Sequence, residues 1–213
     1  MAVEPRPGTR AERRERASAD TRSRILEAAR SCLLADGYAS LSTRRVAEAA
    51  DVPLSQIHYY FGSKQELILA VLAAQNERLL ARQASMYADS EPLWRQWEQA
   101  CEFLEADLES GYVRILQEMI AAGWSDETVA AAVREQLSGW FRLLADVARR
   151  EERRTGSLGP FTPEEVGALM SLPFMGAEAA ILLGIPESEV PTRAALRKIG
   201  LVLRDLGPST QGD

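Results

Sequence analysis

Apolar residues recur three or four positions apart along most of this chain, the signature of amphipathic helices rather than of strands. Ile25, Ala29, Cys32 and Leu33 form such a stripe, which predicts a helix over about 19–36 with Gly37 as its stop. Val46, Ala49 and Ala50 give one apolar face to a helix of about two turns, with Ser42 as its N-cap. Asp51-Val52-Pro53 ends that helix, because Pro53 has no N–H to donate and disfavours the helical conformation at Val52. Ile57 and Phe61, four residues apart, anchor a second short helix over about 54–61, which presents Ser55, Gln56, His58, Tyr59 and Tyr60 elsewhere. Tyr38 and Leu41 close this small core. Ser63 and Glu66 make a capping box, so a long helix over about 64–86 begins at Lys64.

Beyond residue 90 the helical period continues. Trp94, Trp97, Cys101, Leu104 and Leu108 form one stripe, and Val113, Leu116 and Ile120 a shorter one that Gly123 stops. From Asp126, the positions Val129, Val133, Leu137, Trp140 or Phe141, and Leu144 mark a long helix that ends in the charged run 149–154. Gly156, Gly159 and Pro160 make the following loop. Thr162, Pro163 and Glu165 then open a helix running to about Leu183, rich in small residues and expected to kink at Pro173. A last helix, about 192–206, carries Leu196, Ile199, Leu203 and Leu206. The pattern predicts an all-α protein of about nine helices.

Charge adds an asymmetry that the net value of −6 hides. Residues 1–64 carry 11 Lys+Arg against 8 Asp+Glu, whereas 65–213 carry 14 against 23. Only the first third supplies positive charge for phosphate. Residues 1–17 combine Pro5, Pro7 and Gly8 with five arginines and few large apolar residues, and read as a disordered basic arm. Such an arm either follows a DNA backbone or enters a minor groove, or is a solvated tail.

Other chemistry is sparse. Cys32 and Cys101 sit singly in apolar helical patterns, as buried small hydrophobes, with a redox switch as the lesser alternative. His58 is the only histidine, so a metal site built on imidazoles is not available, and no cofactor is expected. No HExxH, GxSxG or phosphate-cradling glycine loop occurs. No apolar run approaches the roughly eighteen residues of a membrane span, and no signal peptide precedes the basic start, so a cytoplasmic protein is expected.

Two short helices joined by a tight turn, the second rich in hydrogen-bonding side chains, make the geometry that lays a helix in a DNA major groove. Leu-Ser-Thr-Arg-Arg-Val-Ala at 41–47 and Ile-His-Tyr-Tyr-Phe-Gly-Ser-Lys-Gln-Glu-Leu at 57–67 resemble the DNA-binding domain of the TetR family of bacterial repressors. The resemblance covers about residues 20–67, and the Phe-x-Ser-Lys-x-x-Leu ending is its most specific part. Three positions depart from it: Asp51 replaces the usual turn glycine, Pro53 a Ser or Thr cap, and His58 a tyrosine. Asp tolerates a left-handed backbone better than most residues, so the turn survives.

The resemblance implies a helix-turn-helix DNA-binding domain at 18–66, a helical ligand-binding and dimerisation domain at 67–207, and a tail at 208–213. It implies a transcriptional regulator, a ligand-responsive repressor binding a palindromic operator in double-stranded DNA as a homodimer through about 163–206. Ser42, Thr43, Arg44, Ser55, Gln56, His58, Tyr59 and Tyr60 would meet DNA, and Lys64 a phosphate at a helix N-terminus. It also implies a pocket for a small, mainly apolar ligand, whose lining is sought among Trp97, Phe103, Tyr112, Met119, Trp124, Trp140, Phe141, Phe174 and Met175; each is more often plain core than pocket lining. Glu118 and Glu178, flanked by apolar residues, would suit a cationic group or a solvated helix face. The alternative is an all-helical protein whose larger domain is an enzyme or a pure interaction module.

Overall fold

A computed structural model describes residues 9–87 and 91–205. Among them are nine helices and no strand, so the all-α expectation holds. The chain divides into two compact units, 1–73 and 74–213.

The first unit holds α1 (Arg10–Ser40), α2 (Thr43–Ala49), α3 (Leu54–Phe61) and the start of α4 (Lys64–Met86). Gly37, at φ 76 and ψ 168, interrupts α1 where the sequence places its stop. Ile25, Ala29, Cys32 and Leu33 of α1 are buried, as are Leu41, Val46, Ile57 and Phe61. Tyr38 is half-buried. Ser63 and Glu66 cap α4 reciprocally, with Ser63 N–H donating to Glu66 Oε2 (2.9 Å) and Glu66 N–H to Ser63 Oγ (3.1 Å).

Two local expectations are corrected. The arm expected to be disordered through residue 17 is helical from Arg10, because Thr9 and Glu12 form a capping box at its start; residues 1–8 lie outside the described residues. Ser42 stands at the N-cap of α2 but makes no side-chain capping bond.

The second unit contains the rest of α4 with α5 (Leu93–Glu109), α6 (Tyr112–Gly123), α7 (Glu127–Thr155), α8 (Pro163–Leu182) and α9 (Thr192–Asp205). Its core gathers Tyr87, Trp97, Cys101, Leu104, Leu144, Val147, Met170, Phe174, Ala177 and Leu196. The Trp97 indole donates to the Leu196 carbonyl at 2.7 Å, so its one polar atom is satisfied where it is buried. Burial pushes the Cys101 thiol up to about 11, which keeps it a packing residue rather than a reactive one. Arg193 joins α9 to α5 through Glu105 at 2.5 Å.

Helix α8 starts as the sequence predicts, on a Thr162–Glu165 capping box with Pro163 in its first turn, and runs unbroken across Pro173. Gly167 lets it approach α7 closely: a Cβ there would lie 2.9 Å from the Ala145 backbone nitrogen. By length and composition α8 is long and apolar enough to cross a membrane, contrary to the expectation that no such run exists. It carries Glu164, Glu165 and Glu178, however, and places Met170, Phe174 and Ala177 in the core. Leu169, Leu172 and Leu182 of α8 are exposed, as are Leu201 and Val202 of α9. Leu206 and the tail from 207 lie outside the described residues.

Candidate nucleic-acid interface and ligand cavity

The turn between α2 and α3 has a backbone that sequence patterns alone do not guarantee. Asp51 adopts φ 51, the one described non-glycine residue with positive φ. The Arg24 guanidinium, from α1, holds it there by donating to the carbonyls of Ala50 (2.6 Å) and Asp51 (3.0 Å). The Asp51 and Val52 amides return to Glu48 and Ala47 at 3.1 and 3.0 Å. Pro53 then precedes α3 without a side-chain cap.

On α3, Ile57 and Phe61 face inward and the polar residues do not. Tyr59 is 78% exposed, Ser55 and His58 are exposed, and Gln56 is half-buried. His58 Nδ1 donates to the Gly62 carbonyl (3.0 Å), which leaves Nε2 as its second hydrogen-bonding atom. On α2, Ser42 and Arg44 are exposed and Thr43 is half-buried. Arg45 pairs instead with Asp36 at 2.8 Å.

Two residues have local partners that the sequence did not foretell. The Tyr60 hydroxyl lies 3.0 Å from Ser18 Oγ. Lys64 Nζ donates to the Ala39 carbonyl (3.2 Å) and sits 5.8 Å from the centre of the Tyr38 ring, so it braces the segment after Gly37 and keeps two N–H donors for another acceptor. Sequence reasoning also missed a shallow basic cleft beside Tyr60, lined by Arg10, Arg14, Ser18 and Arg22. Their four-residue spacing puts them on one face of α1, a signal that was available once these residues are known to be helical. Arg22 covers the Phe61 ring at 5.3 Å.

In the second unit, Trp97, Phe103, Trp140 and Phe174 line one cavity, and Tyr112 and Trp140 an adjoining one, each of about 40 Å3. Met119 is fully buried and lines neither, nor do Phe141 and Met175. Trp124 is corrected outright: it caps the C-terminus of α6 and is 84% exposed, because the chain turns there and Gly123 rather than the indole packs on Ala130. Glu118 also lines neither cavity; it pairs with Arg114 at 3.0 Å.

The polar lining was not foreseen, Glu178 excepted. Gln83, Asp107, Trp140 and Glu178 belong to both cavities, and Asn76 and Gln136 to the one that Tyr112 lines. Arg82 grips Asp107 with two bonds of 2.5 and 2.6 Å, yet burial outweighs them and raises the Asp107 pKa. Among the described residues Glu178 accepts only a neutral amide bond, from Gln117 at 3.2 Å, and burial, aided by the charge of Asp107, lifts it to about 7. The Tyr112 hydroxyl donates to Asn76 Oδ1 at 3.2 Å.

Comparison with known proteins agrees with this architecture. Residues 25–71 match the family model described as bacterial regulatory proteins, tetR family. An uncharacterized HTH-type transcriptional regulator of Xanthobacter autotrophicus is 29% identical over 177 residues, 78% of this chain and 81% of that protein. The HTH-type transcriptional repressor KstR of Rhodococcus jostii is 38% identical over 66 residues, 31% of each chain. A crystal structure of a TetR-family regulator from Agrobacterium tumefaciens shares the fold at a TM-score of 0.72 and 17% identity, over 89% of this chain and 99% of that one. Residues 25–71, which contain the helix-turn-helix at 43–61, are thus a DNA-binding domain of the TetR family of bacterial regulatory proteins.

Proposed function

We propose that the protein is a ligand-responsive repressor that binds a palindromic operator as a homodimer, with 18–66 as its DNA-binding domain, 67–207 as its ligand-binding and dimerisation domain, and the cytoplasm as its place of action. The observation that carries the DNA reading is the outward face of α3: Ile57 and Phe61 anchor the helix while His58 and the 78% exposed Tyr59 remain available. Arg44 suits a guanine edge or a phosphate, Gln56 an adenine, and Ser42, Thr43, Ser55, Tyr60 and Lys64 backbone contacts. The basic face of α1 adds phosphate contacts.

A single recognition helix reads few bases, so a twofold partner is required for operator-level specificity. The exposed leucines of α8 and the exposed Leu201 and Val202 of α9 support that partner being a second copy. The paired cavities support a small-molecule effector, and linkage then makes DNA weaken effector binding by the same factor as effector weakens DNA binding. Footprinting upstream of the protein's own gene tests the proposal. Protection of a palindromic site is expected; no protection there, or turnover of a bound small molecule by the second unit, would overturn it.

A further inference from the structure

The two cavities differ in chemistry. One is walled by aromatic rings, with Trp97, Phe103 and Phe174 around it; the other sets Asn76, Gln83, Gln136 and Glu178 into a wall that is otherwise largely apolar. In the second, Gln83 Oε1 and Gln136 Oε1 are sealed from solvent and accept from no group among the described residues. A buried carbonyl oxygen left so costs about 1–3 kcal/mol, so each signals a donor that arrives with something else. Glu178 lies on the wall shared by both cavities, and no cation among the described residues pairs with it. The nearby cation Arg82 turns one nitrogen to Asp107 in two short bonds and lies over the Phe103 ring at 4.6 Å, its buried Nε meeting no acceptor among the described residues.

We propose that this pocket takes a primary ammonium head group on a single-ring aromatic body, the nitrogen meeting Glu178, Gln83 Oε1 and Gln136 Oε1 and the ring lying among Trp97, Phe103 and Phe174. This rests on the ligand-responsive reading above and supplies the chemical class of its effector. A primary ammonium has three N–H donors and no acceptor, which matches the Glu178 carboxylate and the two unmet amide oxygens. Trp140 is the aromatic residue on the shared wall. An anion would be repelled by Asp107 and Glu178, and a neutral hydrocarbon would leave both amide oxygens unmet. Burial, with the charge of Asp107, raises the Glu178 pKa to about 7, and an arriving cation would draw it to the ionised form.

The test uses the full-length protein and three probes that share a phenyl ring on a two-carbon linker, at pH 8: 2-phenylethylamine, propylbenzene and 3-phenylpropionate, followed by titration calorimetry. The amine is expected to bind at least tenfold more tightly than either of the others, and Glu178→Gln to remove that advantage without weakening propylbenzene. Gln83→Leu serves as a second variant should Glu178→Gln lower the melting temperature. Equal affinity for amine and propylbenzene, tighter binding of the acid, binding of none of the three, or an unchanged amine affinity in both variants would each overturn the assignment. A separate titration of amine into protein bound to its footprinted DNA fragment distinguishes the readings: amine that binds the free protein but fails to release DNA would sink the ligand-responsive function and leave the chemistry of the pocket standing.

Discussion

The Arg24 guanidinium donates to the main-chain carbonyl of Asp51 at 3.0 Å, and Asp51 is the residue whose backbone turns left-handed between α2 and α3. A side chain from the first helix thus holds the one strained position in the helix-turn-helix. Arg24→Ala removes this bond and the 2.6 Å bond to Ala50, at a cost of about 2 kcal/mol. Asp51→Gly should gain up to about 1 kcal/mol by removing the Cβ from a left-handed turn. Urea unfolding of both variants checks the pair, and a stable Arg24→Ala would show that the turn needs no external hold.

Arg44→Ala should weaken specific DNA binding by roughly 1–3 kcal/mol when the contact is to a base. A loss that is uniform across DNA sequences, with a shallower salt dependence, would instead assign Arg44 to phosphate. Gel-shift titration on specific and scrambled fragments at two salt concentrations separates these outcomes.

Leu172 and Val202, 56% and 57% exposed, lie on the two helices proposed to meet a second copy. Leu172→Arg with Val202→Arg should convert the protein to a monomer at micromolar concentration, read by light scattering. Since both side chains face solvent within one chain, the melting temperature at high dilution should change little.

Gly167→Val should be among the most damaging single substitutions in the second unit. Any Cβ at 167 lies 2.9 Å from Ala145 N, main-chain atoms that cannot step aside without moving α7. Overpacking of this kind costs about 1–3 kcal/mol, and thermal unfolding reads it directly.

Glu178 gives the second unit a pH signature. Its folded pKa of about 7 lies above the ordinary glutamate value, so between the two the folded state holds the extra proton. Stability is therefore fully present below the unfolded pKa and falls as pH rises toward 7, by about 3 kcal/mol. Asp107, raised by the same burial, adds in the same direction; Arg82, Gln117 and Tyr112 are the other polar groups around the pair. Glu178→Gln should flatten the slope between pH 5 and 8 in urea unfolding and raise stability at the upper end.

Where local chemistry decides the structure, the sequence was legible. Pro53, Gly62 and the Ser63–Glu66 box delimit α3 and the start of α4 at the residues expected, because each acts within a few positions of itself. The start of α1 was legible too, in Thr9 and Glu12, but a composition of Arg, Pro and Gly outvoted a capping signature only four residues long. What composition and period do not reveal is which polar residues turn inward. Gln83, Asp107 and Gln136 occupy ordinary helical positions, and only the packing of α4, α5, α7 and α8 brings them to common cavities. Trp124 is the converse: a large apolar side chain at a helix end, left outside because the chain reverses beneath it.

Because Thr9 and Glu12 seal the first turn of α1, Arg10, Arg14 and Arg22 stand wound on one side of a helix before any anion arrives. Ordering a flexible basic arm at the moment of docking would cost on the order of 1 kcal/mol per residue in backbone entropy. Here that freedom is surrendered during folding instead. Encounter with a polyanion on this side is thus a rigid-body event, with a small heat-capacity change and a rate governed by ionic strength rather than by helix nucleation.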